Sequence, residues 1–202
     1  FLAQGGRCKN CKSKVSWQYP VVELLTGSAF LFIFLLPLGG QVNFDLLFYF
    51  FIASLLIIIS VYDFKHKIIP DGVVYLLIAT AFARLLYLYF FLGDVSAIWS
   101  LCVGVVMALF LAGLWLYSKG TWMGLGDAKL ILGLGWLLPP CLGISAFILA
   151  FWIGAVIGIA LTFFTKARMT SELPFAPFLI IGFFCTLLFS INLLYLPGAS
   201  CL

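Results

Sequence analysis

Met123-Gly-Leu-Gly-Asp-Ala-Lys-Leu130 is the stretch on which the reading of this chain turns. Two glycines, an aspartate and a lysine stand together where a polar loop meets an apolar segment, in a chain of 202 residues of which only 9% are charged. An ionisable group at membrane depth is costly, so Asp127 marks a functional site by default. Gly124 and Gly126 carry no Cβ and let the backbone bend or approach another segment closely just before the carboxylate. The competing reading is structural: Asp127 as N-cap of a helix that begins at Ala128, accepting from its free N–H groups. Both readings stay open on this stretch alone.

Outward from it the chain is 65% hydrophobic, with a mean hydropathy of +1.23, far beyond ordinary soluble domains. The expected fold is all-α, a polytopic helical membrane protein. Apolar runs cover residues 21–38, 46–62, 73–92, 97–117, 128–138, 142–165 and 175–196, which makes about seven transmembrane spans after a short hydrophilic N-terminal segment. Most approach the roughly 20 residues that cross a bilayer. The run 128–138 is the exception. It rises only about 17 Å against about 30 Å of hydrocarbon, so it is expected to cross a thinned or water-filled region. The chain opens at Phe1 without an initiator Met or a recognisable signal peptide and reads as a fragment whose beginning is missing.

Charge tests this topology. With the N-terminal segment on the cytoplasmic side, Arg7, Lys9, Lys12, Lys14, Lys65, Lys67, Lys119, Lys129, Lys166 and Arg168 fall on one face, ten of the eleven Lys and Arg, as the positive-inside rule requires. Arg84 alone lies within a span, where it needs a partner or a path to water. A net charge of +4 gathered in this way is a topology signal and not a nucleic-acid surface. Trp17, Tyr19, Tyr62, Trp122, Trp136 and Tyr195 fall near span ends, where amphipathic rings sit at headgroup level.

The same parity brings a second carboxylate into play. Asp63 ends one span, 64 residues before Asp127, and two further spans return the chain to the same membrane face. Two carboxylates meeting in a small wet cavity cannot both ionise easily, so they share a proton and titrate as a pair. Such a pair hydrolyses a peptide bond: one draws a proton from water while its protonated partner polarises the carbonyl. Asp63 lies at a helix C-terminus and Asp127 at an N-terminus, so the helix dipoles assign the resting proton to Asp63 and the base to Asp127.

On these residues the chain resembles the bacterial type IV prepilin peptidases, membrane aspartyl proteases of the Gly-x-Gly-Asp class. Gly124-Leu-Gly126-Asp127-Ala-Lys129 is similar to the family's Gly-x-Gly-Asp-x-Lys motif. Asp63 followed by Ile69-Pro70-Asp71 resembles the surroundings of the other catalytic aspartate, and Pro174-Phe-Ala-Pro177 resembles a Pro-Phe-Gly-Pro element. The run from Gly6-Arg-Cys-Lys-Asn-Cys11 through Ser16-Trp17, Tyr19-Pro20 and Glu23-Leu-Leu-Thr-Gly27 is similar to the second half of a cysteine-rich cytoplasmic domain. The resemblance implies an inner-membrane endopeptidase that removes the leader of type IV prepilins or type II secretion pseudopilins, with Asp63 and Asp127 catalytic and no cofactor needed for cleavage. It also implies N-methylation of the new N-terminus from S-adenosylmethionine, and zinc in the full-length protein. A structural zinc takes four ligands, so Cys8 and Cys11 make half a site. The chain departs from the family in lacking the earlier span and the earlier Cys-x-x-Cys, and in Ala176, which stiffens a loop that usually has glycine.

The remaining conspicuous residues receive plainer readings. His66 is a solvated loop residue between two lysines. Asp71 suits an N-cap for the next span. Lys129, two positions after Asp127, does not share its helix face; its amine is expected to reach the headgroups, with attraction of substrate as the alternative. Cys141 and Cys201 fall on the opposite face, where a disulfide is permitted, but two free thiols are expected. Residues 1–20 form a remnant of the cytoplasmic domain and residues 21–202 the membrane peptidase domain. The rival classes are a proton- or cation-coupled transporter, which usually shows internal repeats absent by eye here, and a noncatalytic pilus-assembly scaffold. Partners are the prepilin substrate and the bilayer; the oligomeric state is not legible.

Overall fold

The computed structural model describes residue 6 and residues 11–14, 16–35, 44–165, 174–191 and 193. Seven helices account for most of them: α1 (Gln18–Leu35), α2 (Phe44–His66), α3 (Asp71–Leu92), α4 (Ser96–Ser118), α5 (Leu125–Leu137), α6 (Pro140–Thr165) and α7 (Ala176–Phe189). The chain divides into two units, Phe1–Val61 and Tyr62–Leu202. In the first, Phe30 of α1 stacks on Phe50 of α2 with ring centroids 4.7 Å apart. Ile33 alone is buried along α1.

Five helices, α1 to α4 and α6, are long and apolar enough to cross a membrane. Large apolar side chains stand fully outward, among them Phe90, Phe91, Leu109, Val156 and Phe163. A water-soluble monomer does not tolerate so continuous an apolar exterior. The protein is a polytopic helical membrane protein. The two remaining helices are short. At 13 and 14 residues, α5 and α7 rise about 20 and 21 Å, less than the hydrocarbon thickness. The expected run to Leu196 stops at Phe189, because Ser190 adopts a left-handed conformation, φ 48°, that closes the helix. At its other side the expected start of α5 moves three residues earlier, to Leu125, because extended Gly124 takes the N-cap position.

Within the second unit α5 packs against α3, α4, α6 and α7. Eight of its thirteen residues are buried. Helices in lipid gain little from apolar burial against one another, so close approach through small residues does the work. A Cβ placed on Gly135 would stand 2.8 Å from the Gly104 Cα and 2.7 Å from Met107 Cε of α4. Gly104 in turn leaves room for the Trp136 ring, whose indole N–H donates to the Leu101 carbonyl at 3.2 Å. Trp136 therefore fills the seam between α4 and α5, not the headgroup layer expected of it, because that carbonyl satisfies its polar end inside the protein. On the other flank Gly182 of α7 lies against Ala146 and Ala150 of α6.

Cys141, at the start of α6, is disulfide-bonded, which overturns the expectation of a free thiol there. Cys201 lies outside the described residues. Next to Cys141 the buried Ser145 hydroxyl donates to its carbonyl at 2.8 Å and accepts from the Leu193 N–H at 2.9 Å.

Candidate active site

Asp63 is placed by the way α2 ends. Lys67 turns left-handed at φ 53°, and its N–H returns to the Asp63 carbonyl at 2.8 Å. Asp63 thus falls in the final helical turn with its side chain buried, while His66, in the same turn and not in a loop, is exposed and lies against the Tyr62 ring at 4.6 Å. Proline then fixes the start of α3. Pro70 is extended (φ −70°, ψ 113°) and is itself the N-cap, accepting from the N–H groups of Val73 and Val74. Asp71 becomes the first helical residue, so its expected capping role is overturned. Its carboxylate instead accepts from Lys129 Nζ at 2.6 Å, and Lys129 also lies 5.0 Å above the Tyr75 ring. That pairing likewise replaces the expected route of Lys129 to the headgroups.

Asp127 is the third residue of α5 and not its N-cap. Its carboxylate reaches back to take a backbone hydrogen bond from Gly124, and its own N–H donates to the Gly124 carbonyl at 3.2 Å. This is the acidic half of a capping box, in which the third helical residue satisfies the N-cap N–H. The cap and site readings of Asp127 are therefore compatible. The two motif glycines differ. A Cβ on Gly126 would meet Ile69 Cβ at 2.9 Å, whereas one on Gly124 meets nothing closer than 3.7 Å, the Asp127 carboxylate. Gly126 lets the segment after Asp63 pack directly on the turn that carries Asp127.

The Pro174-Phe-Ala-Pro177 element supplies the third wall. Phe175 caps α7 and Pro177 sits in its first turn, where a missing N–H is harmless. The free N–H of Ala176 gives a backbone hydrogen bond to the Asp63 carboxylate. Asp63 therefore faces the N-terminus of α7 as well as the C-terminus of its own helix. The dipole asymmetry that assigned the resting proton to Asp63 is lost, since each carboxylate now meets a helix N-terminus. Oδ2 of Asp63 is buried and has no hydrogen-bond partner among the described residues. A buried carboxyl oxygen left in this way calls for a proton, a water or a ligand.

A cavity of about 850 Å³ joins these parts. Asp63, Asp127, Gly124, Gly126, Lys129 and Pro174 all line it, as do Asp71 and Lys67; Ile68, Ile69, Trp122, Met123, Leu125 and Phe175 make its apolar walls. Its size lies within the range of about 300–1,000 Å³ for ligand sites. Pro70 and Pro177 set helix starts behind it. The sequence reading missed Lys67, the Trp122-Met123 wall and the Ala176 N–H. Only Lys67 had a signal, its place after the last helical residue, but glycine is the usual residue for a left-handed stop. For metal, Cys11 is exposed with Sγ 3.1 Å from Ser13 Oγ, and Cys8 lies outside the described residues. Among the described residues no group of three or more His, Cys, Asp or Glu side chains could hold an ion.

Comparison with known proteins converges on one group. The model of the Type IV leader peptidase family matches residues 50–159, and that of the Bacterial Peptidase A24 N-terminal domain matches residues 1–36. The Prepilin leader peptidase/N-methyltransferase of Bacillus subtilis is 31% identical, over 90% of this chain and 70% of its own length. The protein of that name in Stutzerimonas stutzeri is 31% identical, over 93% and 64%. The Type 4 prepilin-like proteins leader peptide-processing enzyme of an Escherichia coli O78:H11 strain is 33% identical, over 93% and 67%. The chain thus spans about two thirds of the length of these relatives. No solved structure matches it.

Proposed function

The chain belongs to the type IV leader peptidase family, and from that premise we propose that it forms the membrane-embedded aspartyl endopeptidase core of an enzyme that removes the leader of type IV prepilins or pseudopilins. The observation that supports this best is the convergence of two buried carboxylates, 64 residues apart in sequence, on one cavity open to a polar loop. Asp63 and Asp127 are the proposed catalytic pair.

In this reading the pair holds one proton between its carboxylates. The ionised member draws a proton from water, whose oxygen attacks the peptide carbonyl carbon. The protonated member donates to the carbonyl oxygen as it gains negative charge. Collapse of the tetrahedral intermediate breaks the C–N bond, and the proton taken from water passes to the leaving amine. The lone Oδ2 of Asp63 suits the water or the shared proton. Water and an unwound substrate strand are tolerated at this depth because irregular backbone is acceptable where it borders a cavity. The shortness of α5 helps by bringing its N-terminal turn toward water.

The cytoplasmic face is the proposed catalytic side, in the bacterial inner membrane. Two features support it: Lys65, Lys67, Lys119 and Lys129 lie at the helix ends that meet at Asp63 and Asp127, and disulfide-bonded Cys141 lies beyond the other end of α5, as an oxidising compartment would allow. Residues 1–20 are read as the remnant of a cytoplasmic domain. N-methylation, which stands in the relatives' names, is proposed for the intact protein with S-adenosylmethionine as donor; no residue of this chain is assigned to it, and no step is routed through zinc.

The test is cleavage of a prepilin by the purified intact protein in detergent, followed by mass spectrometry of the leader. Asp63→Asn and Asp127→Asn forms shown to be folded should both be inactive. Cleavage at parental rate by either would refute the proposed pair, and ion flux in vesicles without cleavage would favour a transporter.

A further inference from the structure

Asp71 and Lys129 stand beside the proposed catalytic pair without belonging to it. Their ion pair, 2.6 Å from Oδ1 to Nζ, joins the first residue of α3 to the first turn and a half of α5. Lys129 is a quarter exposed and Asp71 mostly exposed, so the pair has little value as a source of global stability. Its placement is what matters. Ile69 packs on Gly126 and Asp71 bonds Lys129, so two residues of one three-residue segment grip α5 on both sides of Asp127. The same segment follows Asp63 after the left-handed stop at Lys67. A cation over the Tyr75 ring further restricts the Lys129 stem. Lys129 and Asp71 line the same cavity as Asp127, but the Lys129 amine is tied to α3 by Asp71 and Tyr75.

We propose that the Asp71–Lys129 ion pair is a latch that positions the Asp127 turn against Asp63, so that both residues are positioning residues of the hydrolysis and neither touches the scissile bond. The proposal rests on the peptidase reading above. It opposes a simpler alternative in which the Lys129 charge acts directly on Asp127 or on substrate. The two make opposite forecasts for Asp71. If the cation acts directly, Asp71→Asn frees it and leaves activity equal or higher. If the pair is a latch, Asp71→Asn and Lys129→Met are equally harmful, and the double variant is no worse than either.

The experiment measures kcat and KM for prepilin cleavage by the intact protein in detergent. A latch predicts that each single variant lowers kcat by about tenfold or more, the scale on which small misplacements of reacting groups act, with KM within threefold. Lys129→Arg, which keeps the pair, should stay within threefold of the parent, and the exchange of both residues (Asp71→Lys with Lys129→Asp) should recover most of the loss. Equal or raised activity in Asp71→Asn, or additive losses in the double variant, would overturn it. Hydrogen exchange gives a second readout that needs no turnover: the amide of Asp127, which donates to the Gly124 carbonyl, should exchange faster in both single variants and return to the parental rate in Lys129→Arg. Unchanged exchange refutes the latch even in a folded variant of low activity. An inactive parent protein, or active Asp63→Asn, would instead count against the peptidase reading, while the exchange result still judges the latch.

Discussion

The two ends of α5 are built on opposite rules. At its start Asp127, Gly124 and Lys129 border a cavity that is also lined by Asp63 of α2, whose buried Oδ2 has no hydrogen-bond partner among the described residues. At its far half Gly133, Gly135 and Trp136 leave no room at all: backbone meets backbone at Gly104, and Leu77 of α3 closes the third side. One end keeps space open beside a buried carboxyl oxygen that has no hydrogen-bond partner among the described residues, a state that lowers stability. The other spends every small residue on contact. A helix too short to span the bilayer by itself is held by its second half, while its first turn borders the cavity. This division predicts that stability and activity separate by position along 13 residues.

The sharpest way to break the comparison is at the open end. Asp63→Asn and Asp127→Asn each remove a carboxylate and keep its shape, so leader cleavage should fall by about 10²- to 10⁴-fold, the range for loss of a general acid or base. Thermal unfolding in detergent should show the midpoint unchanged or raised, since a buried ionisable group has been replaced by a neutral one. A large drop in midpoint with either variant would mean that the pair is a structural element and that the two ends of α5 do not differ in kind.

At the closed end the expected order reverses. Gly135→Ala drives a methyl group into the Gly104 Cα at 2.8 Å, and backbone cannot move aside as a side-chain tip can. Overpacking of this kind costs about 1–3 kcal/mol. The midpoint should fall by several degrees while the protein that remains folded cleaves at a near-parental rate. Gly113→Ala in α4, where an added Cβ meets nothing within 4 Å, is the matched control and should leave the midpoint unchanged or slightly raised. None of this contrast was legible in the chain. Gly113, Gly133 and Gly135 look alike in an apolar run, because what distinguishes them is the neighbouring helix and not their own flanks. The apolar helices and the meeting of the two carboxylates at one cavity were legible, since bilayer thickness and charge cost act on each segment separately. The role of Asp71 and the destination of Lys129 were misread because one was matched with its own helix start and the other with the headgroups, while each finds its partner on another helix, 58 residues away.

The glycines of the motif give a finer cut at the open end. Gly126→Ala must displace Ile69 or tilt the first turn of α5, whereas Gly124 has ordinary dihedral angles and room for a methyl group. Cleavage by Gly126→Ala should drop about tenfold, equivalent to about 1.4 kcal/mol in the barrier, with Gly124→Ala within threefold of the parent. Equal losses at both positions would show that the motif needs its glycines for backbone freedom and not for the approach of Ile69.

The smallest expected effect lies outside the cavity lining and asks whether the closed end matters to turnover at all. Ser145 is fully buried, and its hydroxyl ties the chain after α7 to α6 by accepting from the Leu193 N–H while donating to the Cys141 carbonyl. Ser145→Ala removes the acceptor and leaves that N–H without its partner, a loss of about 1 kcal/mol for a net hydrogen bond. The hydroxyl-to-carbonyl contact within α6 is replaceable, because that carbonyl keeps its place in the helix. The midpoint should therefore fall slightly and kcat should not move, since the Asp63 and Asp127 end is reached from α7 through Ala176 at its other terminus. A drop in kcat larger than the fall in folded protein would show that α7 transmits strain along its 14 residues to the Asp63 hydrogen bond. The two ends would then be coupled through that helix and not insulated by α5.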